Sequence, residues 1–307
     1  MSVSQLFRTS ALLGIFFSFF ACMPEPNNGE NSKKGEKLKV LVTTSIIQEA
    51  VQKILKDSAD VELIIPIGAD PHSYQFSPED AIKSHNADII IANGLHLEHR
   101  MRGLFQNTTR SKTLIYMADG VPISKLRHLD NKEIDPHIWL NVQLWKSCVS
   151  YMASRLEKDT EWTNYIQKNL DEYLIQLEHI DITAKRRLKR IPEESKYLIT
   201  SHDAFGYFGN AYGIKVLGIK GLSTTGEASI KHVDSLVSLI TEKKIKTIFP
   251  EFSTSTKDIK TLVEQCQENG IEIKLGQELY SISMKGPTNT YDSLILHNVN
   301  SIVKGLR

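Results

Sequence analysis

The chain has 307 residues, of which 41% are hydrophobic and 24% are charged. This length is enough for two domains of ordinary size, and the composition is that of a soluble globular protein. The formal net charge is +1, so no overall field attracts the chain to nucleic acid or to an anionic membrane.

The N-terminal segment predicts export. An apolar run from Ala11 to Ala21 suits the hydrophobic region of a secretory signal and is too short to cross a bilayer. The small residue before Cys22 resembles a bacterial lipoprotein signal, in which Cys22 would carry the lipid. A plain signal peptide cleaved nearby is the alternative. We interpret residues 1–22 as the signal peptide and residues 23–37, which are rich in polar residues, Pro and Gly, as a disordered tether.

The first half of the folded chain alternates strands with helices. Short β-rich runs alternate with stretches whose apolar residues recur at helical spacing. The predicted elements are a strand at 38–44, a helix at 46–56, a strand at 61–65, a helix at 78–85, and strands at 88–92 and 114–117. This alternation is typical of an α/β domain with a parallel sheet.

A long helix and a second α/β half follow. Residues 163–190 contain no proline or glycine, and a helix of that length, about 42 Å, exceeds what one small domain needs. We therefore predict a first lobe at 38–160, a linking helix at 161–191 and a second lobe at 192–307. Within the second lobe we predict strands at 197–200, 215–219, 247–249 and 271–275, and helices at 232–241, 258–268 and 291–306. No sequence repeat relates the two halves.

Three of the ten histidines lie in short polar motifs at the ends of predicted elements, two of them after strands. His72 follows Asp-Pro after the second strand, His137 follows another Asp-Pro, and His202 follows the first strand of the second lobe. Ligand sites in open α/β sheets lie beyond the carboxyl ends of the strands, and proline restricts the backbone before two of these rings.

Imidazole is a good ligand for zinc and for other transition metals. Three rings with one further position make a tetrahedral zinc site. The alternative for each motif alone is an ordinary turn. The remaining histidines are interpreted as surface or structural residues; they are His85, His96, His99, His128, His179, His232 and His297.

The chain resembles the zinc- and manganese-binding receptors of bacterial ABC transporters, the ZnuA/TroA-like proteins. The resemblance covers nearly everything from Leu38 to Arg307 and rests on five motifs in order. They are Gly-Ala-Asp-Pro-His at 68–72, Asn-Gly-Leu-His-Leu-Glu at 93–98, Asp-Pro-His-Ile-Trp-Leu at 135–140, Ser-His-Asp-Ala-Phe-Gly-Tyr-Phe at 201–208 and Thr-Tyr at 290–291.

The resemblance implies two α/β lobes joined by one long helix, with a metal ion between them. It places His72 and His137 on the ligands of the first lobe and His202 on the ligand of the second. It further implies an exported, monomeric, non-enzymatic receptor, in the periplasm or on the outer face of the cytoplasmic membrane, that delivers its ion to a permease and its ATPase. Histidine at the third position favours zinc over manganese, although manganese and iron stay open.

Two departures from the family pattern concern the metal. Ile282 stands where many members have an aspartate ligand, so the fourth bond falls to water or to another carboxylate, for which Glu251 is the candidate. The alternative for Glu251 is a supporting or structural role. In addition, the segment from Asp119 to Glu133 has only His128 where many zinc receptors carry a histidine- and acid-rich loop.

Two other functions compete with transport. Three histidines and a water also form a catalytic zinc site, with Glu251 as the base of a hydrolase. No His-Glu-x-x-His segment is present to favour this function. The other alternative is a surface adhesin lipoprotein whose metal binding is incidental, and no residue specifically indicates it.

Overall fold

The computed structural model describes residues 37–108, 112–129, 132–159 and 163–307. The predicted signal peptide with Cys22, and residues 23–36 of the predicted tether, lie outside the described residues. Within the described ranges, no helix is both long enough and apolar enough to cross a bilayer.

The first half of the chain forms a parallel sheet with helices packed against it. Its elements are β1 (Leu38–Val42), α1 (Ser45–Leu55), β2 (Ala59–Leu63), α2 (Pro78–Asn86), β3 (Ile89–Ala92), α3 (Arg102–Thr108) and β4 (Thr113–Tyr116). The strand order is β2-β1-β3-β4. All four residues of β3 are buried, because a central parallel strand is covered on both faces.

Two long helices and a second set of strands complete the chain. They are α4 (Val142–Asp159), α5 (Thr163–Leu188), β5 (Tyr197–His202), α6 (Gly206–Tyr212), β6 (Lys215–Lys220), α7 (Ile230–Lys243), β7 (Thr247–Ile248), α8 (Lys257–Glu268), β8 (Lys274–Leu275) and α9 (Tyr291–Leu306). The predicted α/β class with parallel strands in both halves is confirmed. The helices α3, α4 and α6 were not predicted as elements.

The strands after α5 repeat the order of the strands before it. β5 pairs in parallel with β6, and β7 pairs in parallel with β8. A parallel bridge between Thr200 and Phe249 joins these two pairs. The resulting order, β6-β5-β7-β8, matches the order β2-β1-β3-β4 of the first half. The halves thus share a topology that their sequences do not show.

The helix α5 connects the two halves. Near its start, the side chain of Asn169 donates to the carbonyl of Ile54 at 2.8 Å. Further along, Gln176 donates to Asp292 of α9 at 2.6 Å. At about 1.5 Å per residue, its 26 residues span about 39 Å. One cluster of buried apolar side chains includes residues of α1, α4, α5, α6 and α9, so the two halves share a core beside this helix.

The N-terminus of α9 provides a test of local stability. Thr290 Oγ1 accepts the backbone N–H of Ser293 at 3.2 Å, and Ser293 Oγ accepts the backbone N–H of Thr290 at 3.0 Å. We expect Thr290→Ala to lower the free energy of unfolding by about 0.5–2 kcal/mol, because a helix N–H loses its acceptor. Urea denaturation measures this loss. Thr290→Ser keeps the hydroxyl and is expected to lose much less, whereas equal losses would point to the methyl group instead.

Candidate metal centre

The three predicted histidines follow strand ends. His202 is the last residue of β5, and His72 lies in the loop that leads from β2 to α2. His137 lies beyond β4 and directly precedes a short helical turn at Ile138–Leu140. Because parallel strands direct their carboxyl ends to one edge of the sheet, the loops that follow them meet there.

The histidine side chains converge in the interior. One nitrogen from each of His72, His137 and His202 lies within 4.8 Å of one nitrogen from each of the other two. The exposed fractions of these residues are 4%, 0% and 0%. Nε2 of His72 is 3.2 Å from Nε2 of His137. Two ligands of a tetrahedral zinc ion stand about 3.3 Å apart when each bond is about 2.0–2.1 Å. A small cation therefore fits between these two nitrogens.

The two Asp-Pro-His motifs form the same local turn. Asp70 Oδ1 accepts the backbone N–H of His72 at 2.9 Å, and Asp135 Oδ1 accepts the backbone N–H of His137 at 2.9 Å. An aspartate that bonds to the backbone two residues later closes a tight turn. The motif thus fixes the backbone beneath each histidine ring, which explains why aspartate and proline precede both.

The two aspartates then act differently. Asp135 Oδ1 also lies 2.8 Å from Nδ1 of the His137 ring, so it orients the ring as well as the backbone and leaves Nε2 for a ligand. Burial raises the pKa of Asp135 to about 6, although the His137 N–H and the Arg127 guanidinium favour its ionised form. Asp70 instead accepts a hydrogen bond from the hydroxyl of Thr224, in the second half of the chain.

Glu251 supports the third histidine. Its Oε1 accepts the backbone N–H of His202 at 2.9 Å, and its Oε2 lies 2.9 Å from the ring Nδ1, a charged contact without hydrogen-bond alignment. The ring Nε2 of His202 is buried and has no hydrogen-bond partner among the described residues. A bound cation would satisfy this nitrogen, since buried polar atoms normally have a partner.

The protonation of the three rings differs. Burial, and after it the neighbouring His137, lower the pKa of His72 to about 3. Burial and His202 likewise hold the pKa of His137 well below its usual range. Burial also disfavours the charged form of His202, but the carboxylate of Glu251, with smaller contributions from Asp70 and Asp203, outweighs it and raises the pKa of that ring. In the metal-free chain, His202 is thus the ring that carries a proton most readily.

The motif at 93–98 holds a neighbouring loop in place. Asn93 donates through Nδ2 to the carbonyl of Pro136 at 3.0 Å, directly before His137. Glu98 is buried and accepts the Thr43 hydroxyl at 2.7 Å and the Asn93 N–H at 2.8 Å. His96, inside this motif, is exposed. The motif therefore supports the turn before His137, and its own histidine does not join the other three.

Sequence reasoning singled out Glu251 but missed the aspartates around the rings. Asp70, Asp135 and Asp203 were named only as parts of motifs, although the repeated Asp-Pro before two histidines was a usable signal. The histidines interpreted as surface or structural residues are outside the cluster. Six of them are exposed and His297 is half-buried. Ile282 is buried, with 1% of its surface exposed.

Comparison with known proteins identifies the family. The chain matches the ZnuA family, described as "Zinc-uptake complex component A periplasmic", over residues 40–305. It is 35% identical over 305 residues to the manganese-binding lipoprotein MntA of Bacillus subtilis, covering 98% of this chain and 100% of MntA. It is 33% identical over 308 residues to the iron ABC transporter substrate-binding lipoprotein MtsA of Streptococcus pyogenes, covering 97% and 98%.

A solved structure agrees with this match. The periplasmic zinc-binding protein TroA of Treponema pallidum superposes with a TM-score of 0.86 at 33% identity, covering 88% of this chain and 99% of TroA. The chain belongs to the ZnuA family, and the resemblance drawn from the five motifs is confirmed.

The pKa pattern predicts how metal binding depends on pH. Of the three clustered rings, only that of His202 has a raised pKa, whereas the pKa of His72 is about 3. At pH values below the pKa of His202 and above the pKa of Asp135, which is about 6, one proton must therefore leave for each ion bound. In that range the affinity falls about tenfold for each pH unit. Calorimetric titration in buffers of different ionisation enthalpy counts this proton.

The control for this prediction is Glu251→Gln. Removing the carboxylate lowers the pKa of His202, because that charge is the largest of the effects that raise it. The loss of affinity should then begin at a lower pH than in the parent. Release of two or three protons per ion, or an affinity that does not change from about pH 7 to pH 5, would contradict the assignment.

Proposed function

We propose that this chain is the extracytoplasmic receptor of an ABC transporter, which captures a divalent transition-metal ion and delivers it to a membrane permease and its ATPase. The observation that carries the proposal is the convergence of three buried imidazole nitrogens within 4.8 Å, from both halves of the chain. The relatives support it, since MntA is named a manganese-binding lipoprotein and MtsA an iron transporter's substrate-binding lipoprotein. We place the protein in the periplasm or, through a lipid at Cys22, on the outer face of the membrane.

Zinc is our first candidate for the ion. Each proposed ligand is an imidazole, and His72, His137 and His202 offer no oxygen of the kind that manganese prefers. The relatives' names include manganese, iron and zinc, so competition among these three ions decides the question. Competitive titration of the metal-free chain should rank zinc first.

The carboxylates around the rings suit a cation. Asp135 and Glu251 contact the Nδ1 atoms of two rings. In this position they strengthen the rings as ligands and offset part of the charge of the ion. The buried carboxylates therefore favour the ion-bound form without occupying its coordination positions.

A zinc hydrolase is the competing function. It needs a base near a metal-bound water and space for a substrate. Here both carboxylate oxygens of Glu251 contact His202, and no histidine of the cluster is more than 4% exposed. A receptor that encloses an ion and no larger substrate fits these features better. The purified protein should therefore hold metal in stoichiometric amount and hydrolyse neither esters nor phosphoesters.

The histidines provide the first test of the proposal. Replacing His72, His137 or His202 with alanine should each weaken zinc binding by more than about a hundredfold, because loss of a ligand costs more than loss of its supporting partner. Calorimetry on the metal-free variants measures this. His96→Ala and His128→Ala are matched controls, since both rings are exposed. If His202→Ala binds zinc as tightly as the parent, the site between the two halves is wrong.

The fourth coordination position provides a second test. We propose that Glu251 orients His202 and that water completes the coordination of the ion. The loop at Ile282 lies close to the site, because the carbonyl of Ser281 accepts the indole N–H of Trp139 at 2.7 Å, and the Trp139 ring packs against His137. Ile282→Asp should therefore raise manganese affinity about tenfold, and raise zinc affinity less, because manganese prefers oxygen ligands.

Two further variants separate the alternatives. Ile282→Asn has the same shape as the aspartate without its charge and should give little gain. Glu251→Gln should weaken binding by about 10–100-fold, which is typical of a residue that supports a ligand. A weakened Glu251→Gln beside an unimproved Ile282→Asp would instead make Glu251 the fourth ligand. No change in either variant would contradict the account of this side of the site.

A further inference from the structure

Arg127 bridges two aspartates that belong to different halves of the chain. Its Nη1 lies 2.8 Å from Asp135 Oδ2, before α5 in the sequence, and its Nη2 lies 2.8 Å from Asp203 Oδ2, after α5. The side chain of Asp135 is 0% exposed, that of Asp203 is 17% exposed and that of Arg127 is 22% exposed. The guanidinium thus makes two charge-assisted hydrogen bonds in a largely desolvated position, where they are strong.

Each of these aspartates is connected to a histidine of the cluster, Asp135 by contact and Asp203 by the chain. Asp135 uses its other oxygen, Oδ1, on the ring and the backbone N–H of His137. Asp203 follows His202 directly in the chain, and its backbone N–H donates to the carbonyl of Gly221 at 3.1 Å. Arg127 is therefore linked to His137 through the carboxylate of Asp135. It is linked to His202 through Asp203, the next residue in the chain.

The segment after His202 is built around the same arginine. The hydroxyl of Tyr207 accepts the backbone N–H of Arg127 at 2.9 Å and donates to the backbone carbonyl of Asp135 at 3.0 Å. At Gly206, a Cβ atom would stand 2.4 Å from the guanidinium carbon of Arg127. Glycine is thus the residue that leaves room for the guanidinium at this point.

From these contacts we infer that Arg127 is a positioning residue that ties the ligand of the second half, His202, to the ligand of the first half, His137. The inference rests on the proposed metal-binding function and deepens it. The guanidinium of Arg127 holds Asp135 against the His137 ring, and through Asp203 it also holds the segment that follows His202. The two histidines therefore keep one relative position, and the ion leaves only when a network that spans both halves opens.

The chemistry requires arginine. A guanidinium presents several N–H donors in a rigid plane, so it can bond to two carboxylates at once in fixed directions. A lysine ammonium carries the same charge at one flexible point and does not reproduce that geometry. Charge alone therefore gives only part of the effect, which separates a geometric role from a purely electrostatic one.

The test measures how fast the full chain releases its ion. Zinc-loaded protein is mixed with an excess of a chromogenic zinc chelator, and the dissociation rate is followed. We expect Arg127→Gln to release zinc about 10–100 times faster than the parent, the range typical for loss of a group that supports a ligand. Arg127→Lys should fall between the two. The visible spectrum of the cobalt-loaded protein should shift in Arg127→Gln, because the rings change orientation around the ion.

A second variant leaves the arginine in place. Gly206→Ala adds only a methyl group, which collides with the guanidinium of Arg127. It should therefore displace the guanidinium and speed zinc release, as Arg127→Gln does. Gly226→Ala is the matched control, since a Cβ at that position meets nothing within 4 Å. This variant keeps the inference testable if Arg127→Gln does not fold, which circular dichroism and a thermal melt would show.

The cycle of Arg127→Gln with Asp203→Asn tests the connection between the halves. If Arg127 acts through Asp203, the double variant should release zinc little faster than Arg127→Gln alone, because the effects of substitutions at coupled residues are not additive. Additive rates, or parent-like release from folded Arg127→Gln and Gly206→Ala, would overturn the inference. A parent chain that binds no zinc, manganese or iron would instead refute the proposed function itself.

Discussion

Three imidazole rings share a buried position, and the protein interior accepts them there only as neutral rings or as ligands of a cation. Desolvation makes a charged ring costly, and each ring that gains a proton repels the other two. This is why His72 and His137 have lowered pKa values. Only His202, with Glu251 against it, readily holds a proton. The rest of the site supplies what a bound ion needs, namely carboxylates behind the rings and backbone turns that fix them.

The rings come from different halves, so their arrangement depends on how the halves are held. Each half has the same strand order, and the loops that carry the histidines follow strand ends. The helix α5 and a shared apolar core join the halves through packing, while Arg127 joins them through charge pairs beside the rings. A receptor built in this way holds its ligand geometry through packing and charge pairs in both halves.

Much of the fold could be predicted, because its pattern is local. The bounds of α9 agree with the prediction, since a threonine cap begins the helix and the apolar spacing persists to Leu306. The strand predicted at 271–275 shortens to Lys274–Leu275, because the N–H of Ile271 closes the end of α8 on the carbonyl of Cys266 instead. The helix α6 was missed because Gly206 and Gly209 weaken its helical pattern; these glycines are required by the contacts of Arg127 and by the chain at Ile214.

The sequence by itself determined the α/β class, the long connecting helix, the family and the three histidines, because strand and helix periodicity and short motifs are properties of neighbouring residues. Only the tertiary structure decided what lies beside each ring. The contact of Glu251 with His202, the pairing of Asp135 with the His137 ring and the bridge from Arg127 to Asp203 join residues separated by 49, 2 and 76 positions. Even the contact between Asp135 and His137, only two positions apart, could not be read from the sequence. An aspartate two residues before a histidine can bond to the backbone, to the ring or to neither. Which of these occurs depends on the packing that positions the ring, and that packing is a property of the whole fold.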